Sequence, residues 1–305
     1  MLKRFIRRLT EILGYTNQII NRESYDARLL ALGALLSNQQ WSMSSTNLND
    51  YEFKIFSEWG DDGIIQYLIK HVKIENKTFI EFGVENYLES NTRFLMVNNN
   101  WSGFVMDGSD ENMKSLQRRS WFFRYDLNCK SAWIDKDNIN DLLKESGFSN
   151  IGLLHIDLDG NDYYLLQEID FSTFNPSILV MEYNSVFGSE RPISIPYSKD
   201  FQRTKVHYSN LFFGSSLPAL NHAAEQKGYS LVGCNLAGNN AYFVRNDLLN
   251  ERIKKMSIKK AFVESKFRES RDENYRLSFL SGNNRLKAIT GLEVHNVLTK
   301  SNEKL

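Results

Sequence analysis

The densest chemistry in the chain is Leu154-His-Ile-Asp-Leu-Asp-Gly-Asn-Asp-Tyr163, where Asp157, Asp159, Asn161 and Asp162 gather oxygen ligands within six positions. The composition is that of a calcium loop, but the remaining spacing and the terminal glutamate of an EF-hand are missing. Met181-Glu-Tyr-Asn184 adds Glu182 and Asn184. Asp157, Asp159 and Glu182 could hold a magnesium-class ion; alternatively, these oxygens with Asn161 and Asn184 could bind the hydroxyls of a sugar directly. The plainer alternative is that Asp157 caps a strand end while Asn161 and Asp162 cap the following helix. Of the five histidines, His207 stands out, lying beside tyrosines in Lys205-Val-His-Tyr-Ser-Asn-Leu-Phe-Phe-Gly214. An imidazole poised near neutral pH could act there as general base on a hydroxyl, although an ordinary surface histidine fits equally well. His155 sits in an apolar run and reads as a hydrogen-bonded core residue.

Further acids fall where strands are expected to end. Glu81-Phe-Gly-Val-Glu-Asn-Tyr-Leu-Glu-Ser-Asn-Thr92 combines Gly83, which lets the chain turn closely under a ligand, with Ser90 or Asn91 as a helix cap. Neither G-x-G-x-x-G nor G-x-x-x-x-G-K-[ST] occurs. Glu81, Glu85 and Glu89 would repel phosphate but tolerate a cofactor carrying a sulfonium and an amine. Asp107, in Met106-Asp-Gly108, could accept both hydroxyls of a ribose, or merely cap the next helix. Asp126, in Tyr125-Asp-Leu127, could accept from an exocyclic adenine amine. The candidate cofactor set is therefore Glu81, Gly83, Asn91, Asp107 and Asp126.

These residues need a frame, and the hydrophobic pattern supplies one. Helices are expected at Asp61 to His71, Thr92 to Asn98, Glu111 to Arg119, Ile139 to Ser146 and Asp162 to Ile169. They alternate with strands at Thr78 to Gly83, Gly103 to Asp107, Phe122 to Leu127, Gly152 to Asp157 and Ser177 to Tyr183. Such alternation implies a mostly parallel sheet with helices on both faces, whose ligands sit beyond the carboxyl ends of the strands. An irregular insertion over 185–215 follows, then a helix from Ser216 to Lys227. Two strand-like runs, Tyr229 to Cys234 and Ala241 to Arg245, close the sheet as a hairpin. Around this 51–247 domain lie an N-terminal extension (1–50), with a helix expected from Ser24 to Leu36, and a C-terminal one (248–305), read as helical and charged over Glu251 to Lys260 and then as a polar tail.

Composition removes several classes. Thirty-seven basic residues cancel thirty-seven acidic ones, so no global positive field exists to hold nucleic acid. Two cysteines, Cys129 and Cys234, cannot build a disulfide framework or a thiolate zinc site, and suit a cytoplasmic location. No window approaches the length of apolar sequence that a bilayer-crossing helix needs. Residues 1–14 pattern as a basic amphipathic helix, with Leu2, Phe5, Ile6, Leu9, Ile12 and Leu13 at helical spacing. That segment could rest on the anionic inner face of a membrane or on a partner, or pack on its own domain or on a second copy in a homo-oligomer.

Four blocks together resemble the FkbM-type branch of class I S-adenosylmethionine-dependent methyltransferases. They are Phe79-Ile-Glu-Phe-Gly83 with Glu89-Ser-Asn-Thr92, Gly103-Phe-Val-Met-Asp-Gly108, Ile156-Asp-Leu-Asp-Gly-Asn-Asp-Tyr163 and Met181-Glu-Tyr-Asn184. The resemblance implies a Rossmann-like doubly wound, seven-stranded sheet ending in the antiparallel hairpin, and S-adenosyl-L-methionine bound by Gly83, Asp107 and Asp126. It also implies a small-molecule or glycan acceptor methylated on a hydroxyl. The first block departs from the family pattern at Val84-Glu-Asn-Tyr87, where a small glycine-rich turn is usual. The reading is O-methyl transfer to a sugar or other polyol, in surface-polysaccharide or natural-product biosynthesis. Asp157 or His207 is the base, and Asp159, Glu182 and Asn184 orient the acceptor or a metal. Two alternatives stay open: a scaffold that keeps the fold without catalysis, and a metal-dependent hydrolase or phosphoryl-transfer enzyme built on the acidic cluster.

Overall fold

Strands buried on both faces can be apolar along their whole length, and helices must then cover both sides. The computed structural model, which describes residues 25–305, shows this for β1 (Thr78–Phe82), β2 (Ser102–Asp107), β4 (Leu153–Ile156) and β5 (Ile178–Glu182), while β3 (Leu127–Ser131) is a more exposed, polar edge strand. A two-residue strand β6 (Ile193–Ser194) follows in the insertion, then β7 (Tyr229–Cys234) and β8 (Asn240–Arg245). The main sheet has seven strands in the order β3-β2-β1-β4-β5-β8-β7. The first five pair in parallel; β8 runs antiparallel to both β5 and β7. The protein is thus a Rossmann-like, doubly wound α/β fold closed by an antiparallel hairpin. Its strand order turns back on itself between β1 and β4, which opens a crevice at their carboxyl ends.

Residues 44–305 form one compact unit, and those up to Met43 group separately. In the latter group residues 25–39 form helix α1, and the basic amphipathic segment 1–14 lies outside the described residues. The helices of the larger unit are α2 (Asp61–His71), α3 (Arg93–Asn99), α4 (Asp110–Gln117), α5 (Ile139–Glu145), α6 (Asp162–Glu168), the single-turn α7 (Arg203–Val206), α8 (Leu217–Gln226), α9 (Ile258–Ala261) and α10 (Asn283–Ile289). Their ends follow capping chemistry. Asp61 and Asp62 open α2 while Lys70 and His71 close it, matching the helix dipole. Ser216 caps α8 by accepting from Ala219 N, with Pro218 in the first turn. The sheet packs its Ile80, Phe82, Met106, Leu154 and Met181 side chains into one core with Leu143, Leu165 and Leu220.

Three expectations are corrected. The aromatic run Phe122 to Leu127 is a 3-10 turn at Phe122–Arg124 followed by β3, because β3 takes its register from β2, with Gly103 opposite Leu127. That leaves Phe123 80% exposed, so strand propensity yields to pairing. Glu251 to Lys260 is mostly irregular, with helix only at Ile258–Ala261. The polar tail is folded: α10 precedes a hairpin of β9 (Glu293–Asn296) and β10 (Ser301–Lys304), and β9 pairs with β6 to make a second, three-stranded sheet. Insertion and tail thereby share a core in which Ile193, Phe201, Leu211 and Phe213 meet Ile289 and Val294. Arg191 ties them at the rim through Glu303 at 2.6 Å.

Gly83, just past β1, shows how tightly the crevice is built. Its φ of +71° favours glycine, and a Cβ there would lie 1.6 Å from the Asp157 carbonyl oxygen. Gly83→Ala should therefore lower unfolding free energy by about 3 kcal/mol in urea denaturation; unchanged stability would contradict this placement.

Candidate active site

The crevice is a cleft of about 810 Å³ at the carboxyl ends of β1, β2, β4 and β5. Its floor is a buried ion pair. Glu81 at the end of β1 and His155 on β4 face each other across the β1–β4 pairing, and His155 Nδ1–H donates to Glu81 Oε1 at 2.9 Å. Glu81 also accepts from Ser90 Oγ at 2.6 Å, Asn91 N at 3.0 Å and Thr92 N at 3.2 Å, as well as from Thr92 Oγ1. The Asn91 amide lies 3.3 Å from His155 Nε2. Burial alone would raise the Glu81 carboxyl, but the hydrogen bond and charge of His155, with the Ser90 and Thr92 hydroxyls, hold it below its ordinary range. Burial pulls the imidazole down, and Glu81 with Asp157 more than reverses that. Glu81 and Asn91 thus line the cleft mainly as the frame that shapes the β1–α3 loop.

Asp107 anchors that loop from the neighbouring strand. Its Oδ2 accepts from Glu85 N at 2.9 Å, and its Oδ1 from Ser109 N at 2.8 Å and Asn112 Nδ2 at 3.2 Å. The unusual Val84-Glu-Asn-Tyr87 turn leaves the cleft open: Tyr87 is fully buried away from it, its hydroxyl 2.9 Å from Thr92 Oγ1.

Past β4 and β5 the acids converge. Asp157, Asp159 and Glu182 each bring a carboxylate oxygen within 4.8 Å of the others. Asp162 shapes the loop that presents them, accepting from Leu158 N at 2.7 Å and Gly160 N at 3.0 Å. Asp159 sits in the left-handed region at φ 55° and receives Arg203 Nη1 at 2.6 Å. Burial and then the Asp159 charge push the Asp157 carboxyl up to about 8. Burial and Asp157 raise Glu182 as well, so the pair retains a proton near neutrality.

Several sequence-derived site residues lie elsewhere. Asp126 precedes β3 and lies at the amino ends of the strands, away from the cleft, because the strand begins at Leu127, where the expected strand over Phe122 to Leu127 would have ended; Ala132, Trp133 and Ile134 follow β3 into the cleft instead. His207 does not line the cleft. It follows the single turn of α7, and its Nδ1 is engaged by Ser209 Oγ at 2.8 Å. Asn184 is a brace, donating to the carbonyls of Leu211 at 2.9 Å and Phe213 at 3.0 Å. Asn161 lines the cleft while its amide ties down Ser198 O at 2.8 Å. Phe201 also reaches the cleft, against Gly160.

Sequence reasoning missed Arg203 and Asn240. Arg203 is fixed by its Nε on Asn210 O at 2.8 Å and by stacking 3.7 Å above the Phe213 ring; one arginine within an irregular insertion gives no warning of this. Asn240 pairs with Glu182 across β5 and β8 and donates to Asp61 at 2.9 Å, while its buried Oδ1 has no hydrogen-bond donor.

No family model and no curated protein matches the chain. Solved structures of similar fold include the N-terminal domain of EvdMO1 with SAH bound, 11% identical at a TM-score of 0.35 over 55% of this chain and 72% of that one. A geranyl diphosphate C-methyltransferase from Streptomyces coelicolor A3(2), in complex with Mg2+, geranyl diphosphate and S-adenosyl-L-homocysteine, is 12% identical at 0.34, over 54% and 60%. An S-adenosylmethionine-dependent methyltransferase from Clostridium acetobutylicum ATCC 824 is 9% identical at 0.38, over 61% and 90%. At this level of likeness the functional reading has to rest on the chemistry of the cleft itself.

The carboxyl pair makes stability depend on pH. Between the ordinary Asp value of 3.8 and about 8, folded Asp157 holds a proton that the unfolded chain has released, so this contribution is full at low pH and lost as pH rises through about 8. Glu182 and Asp162, also raised, act in the same direction. The thermal midpoint of the ligand-free protein should fall from about pH 5 to about pH 9, and less steeply in Asp157→Asn; a midpoint that climbs over this range would contradict the raised pair.

Proposed function

We propose that the protein is an S-adenosylmethionine-dependent O-methyltransferase, of the FkbM type that its motifs resemble, acting on a hydroxyl of a sugar or other polyol. The observation that carries this is the acid-lined cleft at the switch point of the sheet. Asp107 stands at one end of it and the Asp157–Glu182 pair at the other, and no phosphate cradle lies between. Such a lining disfavours a diphosphate cofactor and suits one carrying a sulfonium and an ammonium. The orphan Asn240 Oδ1 supports the fit, since a buried acceptor without a donor is costly until a ligand supplies one.

When bound, S-adenosylmethionine supplies an electrophilic methyl group. Asp107 and the Gly83 loop would hold the nucleoside side, and Asn240 with the acids that line the cleft would hold the cationic side. Near neutrality the Asp157–Glu182 pair holds one proton between two carboxyl groups, so with that proton on Glu182 the Asp157 carboxylate can accept the proton that the acceptor hydroxyl gives up. With His207 away from the cleft, Asp157 is the base of choice. Arg203 holds Asp159 and fixes the edge of the site. The aromatic Phe201 excludes water. Both cysteines are free, which supports a cytoplasmic location. Among the described residues no helix is long and apolar enough to cross a membrane.

Calorimetric titration with S-adenosylhomocysteine should show saturable one-site binding, weakened about tenfold in Asp107→Ala. Asp157→Asn should bind it normally yet lose about 10²- to 10⁴-fold in methyl transfer to polyol acceptors. Silence in the titration from folded protein would overturn the assignment in favour of a scaffold. Arg203 already supplies a positive charge to Asp159, and the Asp157–Glu182 pair retains a proton, so neither magnesium nor a chelator should move binding or transfer. A requirement for magnesium would return the three carboxylates to a metal role.

A further inference from the structure

A second cavity of about 410 Å³ adjoins the cleft, within the size range of small-molecule sites. Glu58, Glu182, Arg203, Asn239 and Glu269 line both spaces and form a collar between them. The far wall belongs to the C-terminal extension. Ser265 N donates to Ser185 Oγ at 3.0 Å, and Val263 O accepts from Tyr183 OH at 2.7 Å, which moors the segment behind β5. Gly238, with φ +78°, lets it pass, since a Cβ there would lie 2.6 Å from Ser265 N. Arg285 on α10, only 3% exposed, grips the segment from behind through Ser265 Oγ at 2.8 Å and the Ser265 carbonyl. Its Nε–H, buried in the cavity wall, has no acceptor.

The lining of this cavity has a definite chemistry. Trp59 stacks on Phe267 with ring centroids 4.7 Å apart at 21°, and both rings belong to the wall. Three arginines face three glutamates, but Arg203 is already paired with Asp159, and Arg285 with Glu264 at 3.3 Å. Arg203 also faces Glu182 and Glu269, and Glu182 shares a proton with Asp157, so Glu58 and Glu269 are the carboxylates that Arg268 has to offset. Carboxylates are acceptors alone, so they match hydroxyl donors and repel anions. Aromatic faces match the apolar face of a sugar ring.

Resting on the methyltransferase reading, we infer that this cavity is the acceptor subsite and that it takes an uncharged saccharide, whose reacting hydroxyl is presented through the collar while sugar phosphates and uronates are turned away. The C-terminal extension is then a specificity element, although it lies outside the doubly wound core.

The test uses the full chain without cofactor. Methyl glycosides of neutral hexoses, glucuronate and glucose 1-phosphate are titrated against Trp fluorescence and saturation-transfer NMR. Saturable binding of a neutral glycoside is expected, with the charged sugars at least about tenfold weaker, and with Trp59→Ala or Phe267→Ala weakening the neutral sugar about tenfold. Glu269→Gln should narrow the gap between neutral and charged sugars while the protein stays folded by circular dichroism. Equal or tighter binding of the charged sugars, binding untouched in both aromatic variants, or no binding of any sugar would overturn the subsite. S-adenosylhomocysteine calorimetry on the same samples separates the two ideas. Cofactor binding without sugar binding removes the subsite alone, and sugar binding without cofactor binding keeps the saccharide site but removes methyl transfer.

Discussion

The ion pair between Glu81 and His155 is the constraint on which the rest of the cleft depends. Two ionisable groups on adjacent central strands have been taken out of water, and a buried charge deprived of its partner costs about 3–5 kcal/mol. The fold answers by saturating both. The β1–α3 loop must curl back so that Ser90, Asn91 and Thr92 reach Glu81, and that curl requires the left-handed turn at Gly83. The same curl sends Glu85 N to Asp107, coupling the loop to β2. Loop geometry therefore follows from electrostatics under the floor.

Negative charge is managed differently at the other end. Asp157, Asp159, Asp162 and Glu182 cannot all be ionised so close together. Asp162 is consumed by backbone amides, Asp159 by Arg203, and Asp157 with Glu182 shares a proton. A carboxyl held near neutrality is what a proton acceptor for a hydroxyl needs. The cation that permits this arrives from the insertion, which is itself held by the C-terminal hairpin through β6 and β9. The peripheral sheet thus supports the position of one guanidinium far from it in sequence.

Much of the frame was legible in the chain. Continuous apolar runs bounded by glycine and Asx residues located β1, β2, β4, β5 and the closing hairpin, because a doubly covered sheet leaves no other place for them. The clustered acids pointed correctly to the ends of β4 and β5, and Asp107 to the end of β2. The failures share a cause. Asp126 was misplaced since strand propensity over Phe122 to Leu127 does not encode register, and His207 was favoured by residue type although α7 turns it aside.

The sequence by itself determined the order of elements and the identity of the acids at their ends, since periodicity and turn residues are local properties. Tertiary structure alone decided which of those acids is neutralised, by which partner, and what closes the cleft. Glu81 meets a histidine 74 positions away, Asp159 an arginine 44 positions away, and the insertion a hairpin beyond residue 290. Such pairings depend on how packed layers bring distant segments together, and no local pattern in the chain announces them.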